Sequence, residues 1–306
     1  MRLRTLFREH LVEFNTVIDW LRQALGIPHV EAQSGGVFQV AAAGLATDLV
    51  PHEPSQGFLL RASIGKLDAQ DADPWLEALL CANLFTDGTG TSVFSVAADG
   101  TVLLTRRITL AGIEQVPFLR AFERFVRHGH TWQAYLSSSD DAEEALASEI
   151  VPGLEALPAF GLEATPAIGA DDLCTEIANL LDARIQRIPD FDEYRLHLRE
   201  GPTLHLRFTT QPALIQVVAV LGQGYPVSRG VLLRTLMRSN QGLSENRNPC
   251  FALARSARDV VVCKPLRRVA RNVALPAVEV AQALHHIARN SQELREQLTR
   301  QSLMAE

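Results

Sequence analysis

The sequence lacks the signatures of most catalytic families. It has no G-x-S-x-G, no G-x-G-x-x-G, no glycine-lysine phosphate loop and no H-E-x-x-H. Nothing in it therefore announces an activated serine, a dinucleotide cradle or a zinc pair. Aromatic residues are few, 6% and mostly Phe, which is poor material for stacking nucleobases. Lysine is almost missing: Lys66 and Lys264 are the only two, and arginine carries the rest of the positive charge. No apolar run approaches the length of a bilayer span. Arg8, Glu9 and Glu13 interrupt the apolar stretch that a signal peptide would need, so the expectation is a soluble protein that stays where it is made. The four cysteines, Cys81, Cys174, Cys250 and Cys263, include no closely spaced pair. That excludes a zinc ribbon or a thioredoxin-type motif, and four are too few for a disulfide scaffold in so long a chain. Buried thiols in a reducing compartment are expected.

What is present is an ordinary globular composition. The chain has 306 residues, 47% of them hydrophobic and 21% charged, and a formal net charge of -6. This mildly acidic balance argues against a dedicated nucleic-acid binder. Charge is uneven. Residues 1–150 carry 11 Lys and Arg against 19 Asp and Glu, whereas residues 151–306 carry 18 against 16. Between the halves lies an acidic stretch rich in Pro and Ala, opening at Ser137-Ser138-Ser139-Asp140-Asp141 and holding Pro152, Pro158 and Pro166. It reads as a linker with one short helix near Ala142–Ile150. Residues 1–137 and 171–306 then form two domains joined by 138–170.

Internal similarity supports that division. At a shift of 157 residues, Phe58–Ala97 lies over Ile215–Ala254 without a gap, with seven identities in forty positions. Among them are Ala62/Ala219, Leu76/Leu233, Leu79/Leu236, Asn83/Asn240 and Phe94/Phe251. A period this long means a duplicated domain rather than a solenoid.

The order of elements agrees in both halves. Leu11, Phe14, Ile18, Leu21 and Leu25 form one helical face, ended by Gly26-Ile27-Pro28. Extended segments follow at Val37–Ala42, Thr47–Val50 and Gly57–Ile64. Asp73-Pro74 opens a second helix that runs to Asn83. The pair Asp99-Gly100 between Ser92–Ala97 and Thr101–Thr105 predicts a hairpin with a type I′ turn. A third helix spans Val116–Tyr135. In the second half, helices are expected at Asp171–Ile185, Ser228–Asn240 and Pro276–Thr299. The strands are Tyr194–Arg199, Thr203–Thr209 and Leu214–Leu221, with a hairpin at Phe251–Arg255 and Asp259–Lys264. Each half thus reads α-β-β-β-α-β-β-α, an α+β fold with antiparallel sheets.

Few polar residues invite a chemical role. His128 and His130 would lie on different faces of a helix, so they do not make a chelate. His197 and His205 fall on the polar side of alternating strands and could face each other across a hairpin, although a solvated sheet face is the default. Lys264, Arg267, Arg268 and Arg271 form the densest basic cluster and read as a solvated loop before the last helix. Asn83 and Asn240 recur at the end of the second helix. Either they are helix-terminal residues in the left-handed conformation, or they make a polar contact at a seam between the domains.

The block Trp75-Leu76-Glu77-Ala78-Leu79-Leu80-Cys81-Ala82-Asn83, followed by Phe94-Ser95-Val96-Ala97-Ala98-Asp99-Gly100-Thr101-Val102-Leu103-Leu104, resembles class I type III secretion chaperones of the Tir-chaperone type. The segment from Phe118 to Trp132 is similar to that family's third helix. The likeness covers Leu11–Tyr135 and, more faintly, Asp171–Leu298. It implies a protein without catalytic activity, cofactor or metal. It implies a bacterial cytoplasmic location and a role in virulence. The partner would be the N-terminal region of a secreted effector, held as an extended chain and kept competent for secretion, with components of the secretion apparatus as further partners. Members are single domains that form homodimers through the second helix and the neighbouring hairpin strand. Here the two copies would pack as a pseudo-dimer within one chain, with Trp75, Leu79 and Asn83 facing Leu232, Leu236 and Asn240; homodimerisation of the whole chain stays open. Client side chains would meet Phe38, Val40, Leu60, Ala62 and Ile64 in the first half, and Leu204, Leu206, Phe208, Val217 and Ala219 in the second, unless these residues simply form each core. The alternative is a regulatory or scaffolding protein that reuses the fold to bind another bacterial protein.

Overall fold

A computed structural model describes residues 14–27, 36–52, 57–68, 72–84, 92–110, 112–138, 170–188, 193–199, 201–210, 213–222, 225, 227–245, 249–253, 260–267 and 277–305. The first half contains α1 (Phe14–Leu25), β1 (Phe38–Ala42), β2 (Leu45–His52), β3 (Gly57–Lys66), α2 (Ala72–Ala82), β4 (Ser92–Val96), β5 (Thr101–Thr109) and α3 (Gln115–Ser137). The second contains α4 (Ala170–Leu180), β6 (Arg184–Ile188), β7 (Glu193–His197), β8 (Thr203–Thr210), β9 (Ala213–Gly222), α5 (Arg229–Glu245), β10 (Cys250–Leu253), β11 (Val260–Arg267) and α6 (Ala277–Ala305). The fold is α+β with two antiparallel sheets, ordered β1-β2-β3-β5-β4 and β10-β11-β9-β8-β7-β6. The residues expected to form the linker, with its short helix, lie outside the described residues apart from its ends.

The second half departs from the expected order by one strand. The helix predicted to reach Ile185 stops at Leu180, and Arg184–Ile188 forms β6. The reason is local. Asp182 takes φ +49, and the Asp182 and Ala183 N–H groups donate back to the Asn179 and Ala178 carbonyls. That is a Schellman ending, which satisfies the last helical carbonyls and turns the chain out of the helix. Asp can fill the left-handed position that glycine usually takes. The helix predicted to end at Asn240 instead continues to Glu245.

Turn chemistry also differs from the expectation. At Asp99-Gly100 only Gly100 has positive φ (+87), and its N–H donates to the Ala97 carbonyl. The Asp99 carboxylate accepts from the N–H and the hydroxyl of Thr101, contacts that hold its pKa below the ordinary value. The turn that does carry two positive φ angles is Ala43-Gly44 (+50 and +80), which joins β1 to β2 and matches the type I′ geometry.

Each sheet is covered on one face by its half's long helices. In the first half α1 and α3 bury Val17, Ile18, Leu21, Phe118, Phe122, Phe125 and Trp132 against Leu45, Leu49, Phe58, Leu60 and Leu104. Phe58 sits between Phe14 and Phe118, with ring centroids 5.1 and 5.9 Å away. In the second half α6 buries Val280, Leu284, Ile287, Leu294 and Leu298. These recur at spacings of 4, 3, 7 and 4, the period of one helical face. One contiguous apolar cluster runs through both halves.

All four cysteines are free and buried. Burial, then the nearby Asp171 carboxylate, pushes the Cys174 thiol up to about 12. Cys250 is raised well above its ordinary value, first by its contact with the Cys263 thiol and then by burial. Because the thiolate is the nucleophile, neither should react while the chain is folded. Titration with a disulfide reagent at pH 8 should therefore release all four equivalents only when denaturant is added. Rapid native labelling of Cys174 or Cys250 would contradict that burial.

Candidate functional site

The most distinctive surfaces are the seam between the halves and the outer edges of the sheets. At the seam α5 packs on β4, β5 and α2, while α2 reaches β10. Leu79, Leu232, Leu233, Leu236 and Met237 are buried there and Trp75 is half-buried. A smaller apolar cluster joins Leu84 and Val93 of the first half to Val218, Cys250, Ala252, Val261 and Cys263 of the second. Cys250 and Cys263 are register partners on β10 and β11, with Sγ atoms 3.5 Å apart. Both thiols donate to the Asn83 carbonyl, at 3.7 and 3.5 Å, so the end of α2 is met by the second half's sheet.

Two ion pairs edge the seam. Arg234 reaches the Asp73 carboxylate at 2.9 Å, and Arg229 reaches Glu77 at 2.7 Å. Gly230 lies under Asp73: a Cβ there would come within 2.5 Å of an Asp73 carboxylate oxygen.

Asn83 and Asn240 are fully buried, and neither takes the left-handed conformation considered from sequence. Each side chain closes a two-point bracket on a strand. The Asn83 amide donates to the Phe94 carbonyl at 2.9 Å, and its oxygen accepts from the Phe94 N–H at 2.7 Å. Asn240 does the same to Phe251, at 2.9 and 2.7 Å. Both residues of the second bracket stand 157 positions after those of the first. The spacing of 11 residues within each bracket is visible in sequence, but the pairing is not.

The residues expected to meet a client sit mostly inside. Val40, Leu60, Ala62, Ile64, Leu204, Leu206, Phe208, Val217 and Ala219 are buried in the core cluster. Phe38 differs: it is half-buried on the end strand β1, edge-on to Phe14 at 5.6 Å. Among the described residues β1 pairs only with β2, whereas β7, in the corresponding place beside β8, pairs with β8 and with β6.

The histidines do not converge. His205 is opposite Arg195, and its Nδ1 lies 2.9 Å from Glu193; His197 is opposite Thr203. His197 and His205, which the sequence allowed to face each other across the hairpin, are thus two register positions apart. Burial, aided by Arg127, Arg106 and Arg124, pushes the His128 imidazole below its usual pKa. Lys264 and Arg267 belong to β11, not to a loop, while Arg268 and Arg271 lie outside the described residues. A cleft of about 640 Å³ opens between α6 and the β7–β8 hairpin, floored by Leu198, Leu204 and Leu284. Its Ser291 hydroxyl is engaged by the Ile287 carbonyl at 2.6 Å, and its Arg199 and Arg289 are paired with Asp182 and Glu293. No group of three or more His, Cys, Asp or Glu among the described residues could hold a metal ion, and no helix there is long and apolar enough to cross a membrane.

Comparison with known proteins reaches part of the chain. A search of curated proteins returns no match. Three solved structures are similar to part of the chain. The ExsC–ExsE complex shares 16% identity over 41% of this chain and 95% of its own, with a TM-score of 0.35. The HopA1–SchA chaperone–effector complex shares 12% over 44% and 98%, at 0.34. The Yersinia pestis type III secretion chaperone SycH, in complex with a fragment of YscM2, shares 16% over 39% and 99%, at 0.31. The family-level match is to the Tir chaperone protein (CesT) family, over residues 16–133, which run from α1 almost to the end of α3. Residues 16–133 are thus similar to the Tir chaperone protein (CesT) family, the family that the resemblance to class I type III secretion chaperones named.

Proposed function

We propose that the chain is a non-catalytic chaperone that holds the N-terminal segment of a type III secreted effector in extended form in the bacterial cytoplasm, keeping it competent for secretion. The observation that carries this reading is the family match over residues 16–133. In the same reading the two halves are a tandem duplication packed as a pseudo-dimer, with residues 138–170 as the linker. The repeated Asn brackets and the contacts of α2 with α5 support it. So does the sheet register: Leu49↔Leu60 and Ala62↔Leu104 in the first half correspond to Leu206↔Val217 and Ala219↔Val262 in the second, within one residue of the 157-residue shift.

The client's place follows from the edges. The inward residues Val40, Leu60, Ala62 and Ile64, like Leu204, Leu206, Phe208, Val217 and Ala219, are engaged by the chain's own helices and support the sheet from behind. An extended segment would instead add to β1 through main-chain hydrogen bonds, with Phe38 beside it. The counterpart strand β7 is already flanked by β6, so the two halves would not bind alike.

The test begins with co-purification from the source bacterium while its secretion system is expressed, identifying a secreted protein retained through its N-terminal segment. That segment is then added to the pure chain and amide exchange is followed. Exchange at β1 should slow, with little change at β7. Recovery of folded cytosolic regulators alone would favour the scaffolding alternative and overturn this reading.

A further inference from the structure

The charges at the seam are sorted by half. Helix α2 carries Asp73 and Glu77 and no basic residue, whereas α5 carries Arg229, Arg234 and Arg238 and a single acid, Glu245, at its far end. Under the 157-residue correspondence Glu77 and Arg234 occupy one position, and Asp73 and Gly230 another. The observed contacts then predict what self-pairing would do. Asp73 meets Arg234 and Gly230. In a pair of two α2 helices it would meet Glu77 and Asp73 of the other copy. Arg229 meets Glu77. In a pair of two α5 helices it would meet Arg234. Each self-pair sets like charges together, and the first also forces a carboxylate into the space that Gly230 leaves open.

We propose that this seam is a heterospecific joint: α2 fits α5 of this chain's own second half and rejects another copy of α2. Attraction in the right pair and repulsion in the wrong ones both contribute to such a choice. The proposal rests on the pseudo-dimer part of the reading above. It does not depend on what the client is.

The test uses the full chain with a site-specific protease sequence inserted in residues 139–169. After cleavage, light scattering should show the two halves still together at one to one, at the mass of the uncut chain. The Asp73→Arg/Glu77→Arg chain should release its halves at a dilution at least tenfold less severe than the parent requires, and added salt should narrow that gap. Adding Arg229→Glu and Arg234→Glu to that chain exchanges the signs and should restore association to within about threefold of the parent, which also shows that the reversed helices still fold. The proposal falls if the parent halves separate on cleavage, if first halves pair with one another, or if the four-fold exchange associates no better than the double reversal. An exchanged chain that reassembles yet binds no secreted segment would count against the chaperone reading and leave the joint intact.

Discussion

Replacing Asn83 or Asn240 by alanine should each cost about 2–6 kcal/mol, because two buried main-chain groups lose their partners at once and each orphaned group costs about 1–3 kcal/mol. The bracket ties a helical residue to the N–H and the carbonyl of a strand residue eleven positions later. Both Asn side chains are fully buried, so water cannot replace the lost bonds without opening the structure. Against a total stability of about 5–15 kcal/mol, such a loss is visible as a large drop in the urea midpoint. Asn83→Asp is the sharper variant. It keeps an acceptor for the Phe94 N–H, loses the donor to the carbonyl, and buries a charge, so it should be no milder than alanine at neutral pH. Midpoints unchanged for both alanine variants would mean that the brackets hold nothing.

Trp132→Ala should cost about 3–5 kcal/mol, the range for removing a large buried ring. Trp132 is fully buried on α3, its ring 5.0 Å from Phe94 and 6.1 Å from Tyr135. Trp132→Phe should be gentler than its size suggests, since the indole Nε1 has no hydrogen-bond partner among the described residues, so nothing polar there is orphaned by removing it. Because Phe94 is held on one side by Trp132 and by the Asn83 bracket, the two deletions share a partner. Their double variant should differ from the sum of the singles by at least roughly 0.5 kcal/mol. Additivity in urea unfolding would show that strand β4 is held by the two contacts independently.

The parts of the fold legible in the sequence are those whose signal is local. The face of Phe14, Ile18 and Leu21 ending at Gly26, the Asp73-Pro74 start of α2 and the alternation through Leu204, Leu206 and Phe208 each specify an element from neighbours alone. Strand β6 escaped because Ile185 and Ile188 are three residues apart with polar residues between them, a helical spacing on a strand that is mostly exposed. Ala43-Gly44 escaped because alanine gives no warning of a left-handed turn. The site was legible only as a repetition. The sequence shows Asn83 and Asn240 at equal places, but a side chain bonded to a strand across a loop is a tertiary fact. The outer edge of β1 and the burial of the inward strand residues likewise depend on which helix covers which face.

The seam joins partners such as Glu77 and Arg229, or Asn83 and Cys263, that stand 152 to 180 positions apart in the chain. During synthesis the first half therefore emerges well before anything that can cover it. At about 5–20 residues per second, roughly ten to thirty seconds pass before the matching helix follows. Many ribosomes on one message would display uncovered α2 helices side by side throughout that interval. The Asp73 and Glu77 carboxylates give those nascent neighbours a reason to stay apart until each chain delivers its own arginines.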